Sequence, residues 1–135
     1  MKLFFFWCMH ALVIACCIVG FQASLEMHNK AEADRRGELL DKSVVQTPRA
    51  RLFGGVDNAA IGLAYYPAIA VASFFFSVAP VRIAALVAAA AATAVSLYLL
   101  YSLLFITKMK CTNCWMANTM NVMILVMLGD LALLN

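Results

Sequence analysis

The sequence predicts an all-α membrane protein: a bundle of four transmembrane helices with one polar loop between the first and second. Two observations predict it. First, 65% of the 135 residues are hydrophobic and only 13% are charged, about half the charged fraction of an average soluble domain. Second, twelve of the 17 charged side chains fall between Glu26 and Asp57. Residues 3–25, 58–81, 83–107 and 111–129 are left free of formal charge, in stretches of 23, 24, 25 and 19 residues. A helix needs about 20 apolar residues to cross about 30 Å of hydrocarbon. An outer-membrane barrel is excluded, because its strands would alternate over segments of about ten residues. The length fits a single domain covering 1–135.

The expected helices are about 3–24, 58–78, 82–107 and 111–133, with the loop at 25–57. Lys2 and the apolar run after it have the form of a secretory signal. The run is longer than an ordinary signal core, however, and Phe21-Gln22-Ala23 puts a bulky residue at the cleavage pattern. The first stretch is therefore read as an uncleaved helix. Pro67 is expected to kink the second helix, and Pro80 to break the chain between the second and third. The third carries Ala84-Ala85 and the run Ala88 to Ala92, small residues that let helices pack closely in lipid. Phe4-Phe5-Phe6-Trp7 and Phe74-Phe75-Phe76 lie near span ends, where aromatics anchor. Residues 30–41 are expected to form a short polar helix.

The net charge of +3 carries little information. The loop is balanced, with six basic residues (Lys30, Arg35, Arg36, Lys42, Arg49 and Arg51) against six acidic ones. Such a run gives no footprint for nucleic acid. Four spans put both termini and the 79–82 turn on one side, and the long loop with the 108–110 turn on the other. The excess of Lys and Arg on the loop side would place the loop in the cytosol. The signal-like start points the opposite way, and composition does not choose between them.

The chemistry concentrates at the start of the fourth helix. Cys111-Thr112-Asn113-Cys114 places two thiols at i and i+3 on one helix face. A helix N-terminus favours a thiolate, and so do Lys108 and Lys110 just before it. The pair has no second Cys pair at zinc spacing and no neighbouring His, so no metal is expected. Cys111, Cys114, Asn118, Asn121 and Leu125 continue as one stripe. Two carboxamides within a span need polar partners, which are either other helices or a ligand beside the thiols. At the start of the second span, Asn58, Gly62 and Tyr65 share a face, with Tyr66 adjacent. Asn58 either caps that helix or donates to a ligand at the depth of Cys111. Cys8, Cys16, Cys17, His10 and His28 are assigned no chemistry, since a buried free Cys is commonly a small hydrophobe.

Together these residues resemble the vitamin K epoxide reductase family. Ser96-Leu97-Tyr98-Leu99, Leu103-Leu104-Phe105-Ile106, Cys111-Thr112-Asn113-Cys114 and Asn121-Val122 look like its last two helices. Phe53-Gly54, Asn58, Gly62 and Tyr66 resemble its approach to the second helix, and Glu26 to Asp34 the start of its luminal loop. The resemblance implies a four-helix bundle around a quinone of the vitamin K, menaquinone or ubiquinone type. It implies that Cys114 passes electrons to the quinone, Cys111 exchanges with an incoming thiol, and Asn58 hydrogen-bonds a quinone carbonyl. Gly62, Tyr66, Asn118 and Asn121 would complete the quinone site. It also places the loop outside the cytosol, in the endoplasmic reticulum membrane of a eukaryote or the inner membrane of a bacterium.

Two departures stand out. The family often has Tyr where this chain has Asn118. Its members normally carry two loop cysteines that relay electrons, yet residues 24–60 contain none, and Asp41 sits near the place of the second. A separate thioredoxin-fold thiol protein is therefore the expected electron donor, with no such domain fused before Asn135 and no retention motif at Leu133-Leu134-Asn135. Two alternatives remain open. One is a non-catalytic membrane interaction subunit of the same fold. The other is a soft-metal-handling protein, because Cys16-Cys17 with Cys111/Cys114 looks like the paired thiols of bacterial mercury carriers.

Overall fold

The computed structural model describes residues 1–37, 58–107 and 112–134, and every regular element among them is helical. The rest of the expected loop, the 108–110 turn with Lys108 and Lys110, and Cys111 lie outside the described residues, as does the side chain of Asn58.

Helix α1 runs from Lys2 to Arg35, 34 residues, or about 51 Å at 1.5 Å per residue. That exceeds the hydrocarbon thickness, so the charged turns from Glu26 onward extend past the apolar span. The expected end at residue 24 is thus corrected. The first third of the supposed loop, and the start of the short helix expected at 30–41, are the last turns of α1. The chain offers no Gly or Pro between Phe21 and Arg36 to stop it. Arg36 N–H still bonds Glu32 O at 3.1 Å, and the helix stops at Gly37, whose φ of 73° is left-handed.

Helix α2 spans Asn58–Phe74 and α3 spans Ala79–Tyr101. Pro67 lies inside α2, which continues through it. The turn between them corrects two expected boundaries. Phe75 N–H reaches Ala72 O and Val78 N–H reaches Phe75 O, so α2 ends four residues before the expected position 78. Pro80 opens α3 instead of separating two helices, because a first-turn residue needs no intrahelical N–H partner. The expected continuous helix to 107 is also corrected. Its last six residues, Ser102–Thr107, form a wider π-helical segment. Helix α4 spans Thr112–Leu134, close to expectation.

The helices α1, α3 and α4 are long and apolar enough to cross a membrane. Helix α2 is apolar but has 17 residues, about 26 Å. Large apolar side chains such as Phe4, Phe74, Val87, Phe105 and Val126 are exposed on the outside of the bundle, as lipid-facing positions require.

Helix α1 packs on α2 and α4, and α4 on α3, while α2 and α3 barely touch. The core runs through Val13, Cys17, Tyr66, Ile69, Ala89, Ile124, Leu128 and Leu131. At the end away from the loop, buried His10 joins α1 to α2. Its Nε2 lies 2.8 Å from Ser73 O in the last turn of α2, and its Nδ1 lies 3.0 Å from Phe6 O. Near the loop end, α1 and α2 approach closely at two glycines. A Cβ on Gly20 would fall under 3.0 Å from the Tyr66 ring, and one on Gly62 would overlap Ser24 Oγ. Gly129 on α4 faces open space, with nothing within 4 Å of an added Cβ. Gly20→Ala is therefore expected to destabilise the bundle by about 1–3 kcal/mol through overpacking, and Gly129→Ala to be near neutral. Denaturant titration in detergent micelles distinguishes them; equal stability of both variants would contradict the packing described.

Candidate functional site

Between the helices, where α2 and α3 have few contacts, lies a partly open cavity of about 330 Å³. All four helices line it: Ser24 and Met27 from α1, Gly62, Tyr65 and Tyr66 from α2, Ala88 to Leu100 along one face of α3, and Cys114, Ala117 and Asn121 from α4. Alanines on α3 supply the space, because they leave the helix surface shallow. The lining is mostly apolar with a few polar atoms, and the volume lies within the range of small-ligand sites.

Cys114 is half-buried and disulfide-bonded, whereas Cys8, Cys16 and Cys17 are free. Its sulfur lies 3.9 Å from Met27 Sδ. A disulfide sulfur carries no proton, so this is a packing contact: the extended part of α1 reaches over Cys114. Cys17 lies ten residues along α1 from Met27, about 15 Å. Cys16 and Cys17 therefore do not join Cys114 in one site. Among the described residues no group of three or more His, Cys, Asp or Glu is placed to hold a metal.

The inner end of the cavity is a polar cluster centred on Asn121, which is 6% exposed. Tyr66 Oη–H donates to Asn121 Oδ1 at 2.8 Å and lies 3.4 Å from Ala117 O. Asn121 Nδ2–H donates to Ser96 Oγ. Thr93 Oγ1 lies 3.2 Å from Asn121 O and 2.8 Å from Ala89 O. The residue thus ties α4 to α2 through its side-chain oxygen and to α3 through its nitrogen.

The structure brings together Gly62, Tyr66, Cys114 and Asn121 of the expected site. It does not bring Asn118 to the cavity. That residue is buried elsewhere on α4, and its Oδ1 has no partner among the described residues. Ser24, Met27, Thr93 and Ser96 were not expected in the site. Ser24 and Met27 share a face of α1 with Gly20 at steps of four and three, a spacing visible in the sequence once α1 is known to continue past residue 24.

An all-α chain with three membrane-length helices around a mostly apolar cavity, with a half-cystine in its wall, has the architecture of an integral membrane protein. The profile of the Vitamin K epoxide reductase family matches residues 3–128, and the chain belongs to that family. Membership places it among membrane oxidoreductases. Comparison with curated proteins and with solved structures gave no match.

Breaking the Tyr66–Asn121 bond tests the cluster. Tyr66→Phe is expected to lower stability by about 1 kcal/mol, the scale of interhelical hydrogen bonds in membranes. A double-mutant cycle with Asn121→Ala should show that most of this loss is shared. Fully additive losses would mean the two side chains act independently.

Proposed function

We propose that the chain is a thiol–disulfide oxidoreductase that exchanges electrons between an external thiol protein and a quinone through Cys111 and Cys114. The observation that supports it most is the position of Cys114 in the wall of an apolar cavity sized for a ring compound. In the proposed cycle an incoming dithiol reduces the Cys111–Cys114 disulfide by exchange at Cys111. The resulting thiols pass two electrons and two protons to the quinone. The pair returns to the disulfide, and the quinone leaves as hydroquinone. Lys108 and Lys110, close in sequence, would favour the thiolate of Cys111.

Asn58 begins α2, one turn above Gly62, and would donate to a quinone carbonyl. Tyr66 and Asn121 would bound the ring from below. Tyr66 spends its O–H on Asn121, which keeps a second N–H for a ligand. Asn118, away from the cavity, would act indirectly if at all on the ring, in contrast to its expected role. The substrate would be vitamin K, menaquinone or ubiquinone, and the donor a separate thioredoxin-fold protein. The single domain would cross the membrane four times, α2 included, with the long loop outside the cytosol. Its membrane would be the endoplasmic reticulum or, in a bacterium, the inner membrane.

A second reading, a non-catalytic interaction subunit of the same fold, is favoured by one observation: residues 24–60 hold no cysteine to relay electrons. Activity separates the two. Protein in lipid nanodiscs, given dithiothreitol and 2-methyl-1,4-naphthoquinone, is expected to form the hydroquinone, and Cys114→Ser to abolish it. A mutant with full activity, or a wild type with none, rules the oxidoreductase reading out. Asn58→Ala is expected to weaken quinone binding about tenfold, the loss of one good hydrogen bond, as read by calorimetric titration.

A further inference from the structure

Two polar side chains in the cavity wall take no part in the hydrogen bonds described above: Tyr65, whose Oη has no partner among the described residues, and Ser24, which lies nearer to Cys114 in depth. Ser24 is 6% exposed, and none of the hydrogen bonds described above uses its Oγ. Its Oγ faces Gly62 of α2, where a Cβ would overlap it, and both residues line the cavity. Nine-tenths of the residue is thus removed from solvent and lipid, and the hydroxyl is held on the ligand side of α1. A hydroxyl in the wall of an apolar cavity gains from an acceptor placed there, and the space in front of this one is where a ligand would lie.

Depth along the bundle separates Ser24 from the Asn121 cluster. Met27 Sδ touches Cys114 Sγ, which fixes the level of the sulfur on α1. Ser24 is three residues inward of Met27, about 4.5 Å, whereas Asn121 is seven residues inward of Cys114, about 10 Å. A ring in contact with Cys114 therefore reaches Ser24 within its own width. The Asn121 amide lies a full turn deeper. Gly62, against which Ser24 sits, is one turn of α2 inward of Asn58, about 6 Å, a spacing that suits the two carbonyl oxygens across a quinone ring.

We propose that Ser24 donates a hydrogen bond to a carbonyl oxygen of the bound quinone and so sets the ring's orientation toward Cys114. The assignment rests on the quinone reading above. It supplies the second carbonyl contact that Asn118, outside the cavity, does not make.

The test uses the full chain in lipid nanodiscs, titrated calorimetrically with 2-methyl-1,4-naphthoquinone and with 2-methylnaphthalene, which has the same ring frame and no carbonyl. In Ser24→Ala the quinone Kd is expected to rise about tenfold while the hydrocarbon Kd stays unchanged. An unchanged quinone Kd in a variant whose parent binds quinone overturns this assignment alone. An equal loss for both compounds overturns it too, since it would show Ser24 only shaping the cavity. A wild type that binds the quinone no better than the hydrocarbon overturns the quinone reading itself.

Discussion

Within a bilayer an amide has no water to bond, so its partners must come from neighbouring helices. Asn121 meets this constraint in a way that organises the bundle. Its oxygen accepts a hydrogen bond from Tyr66 on α2, its nitrogen donates one to Ser96 on α3, and its backbone carbonyl lies beside Thr93. Helices α2 and α3, which barely touch each other, are thus joined through a residue of α4. A side chain standing between two helices also keeps them apart. The cavity opens on the loop side of this cluster, with the alanine face of α3 as one wall and Cys114 about 10 Å above the Asn121 level.

The other side of the cavity depends on close approach rather than hydrogen bonds. Gly20 lets α1 lie on the Tyr66 ring, and that contact helps hold the hydroxyl where Asn121 accepts it. Gly62 lets Ser24 sit on α2. With the two helices locked at these points, the continuation of α1 beyond the apolar span has a fixed direction. It carries Met27 over Cys114. At Cys114 this part of the expected loop is thus helix.

Much of this was legible in the sequence, for identifiable reasons. Charge-free stretches mark the helices because a charged side chain in hydrocarbon is costly. Boundaries were less legible. The charges at Glu26 to Arg35 mark the end of the apolar span, and a helix does not stop there unless a residue such as Gly37 stops it. Pro80 reads equally as a breaker or as a first-turn residue, and the turn hydrogen bonds decide. Cys114, Asn121, Tyr66 and Gly62 stood out as polar or small residues on helix stripes. Asn118 stood out for the same reason but faces elsewhere. At about 100° per residue, Asn121 lies about 20° to one side of Cys114 and Asn118 about 40° to the other. The cavity is on the Asn121 side, with Ala117. Ser24 and Met27 were not legible, because α1 is apolar on nearly every face and one Ser in such a run carries no periodic signal.

The geometry around Cys114 bears on the missing loop cysteines. Met27 packs on its sulfur, and the cavity takes another side. A small planar molecule inside the cavity would have direct access to that sulfur. A pair whose inner sulfur is reached from the ligand side divides the labour without an internal relay. In the proposed cycle the inner sulfur would serve the ring, and its partner, outside the described residues, would serve the incoming thiol. In that cycle the absence of loop cysteines would change where the electrons come from and leave the ring-side chemistry intact. The contacts at the cavity's two ends, Met27 on Cys114 and Tyr66 on Asn121, come from α1, α2 and α4.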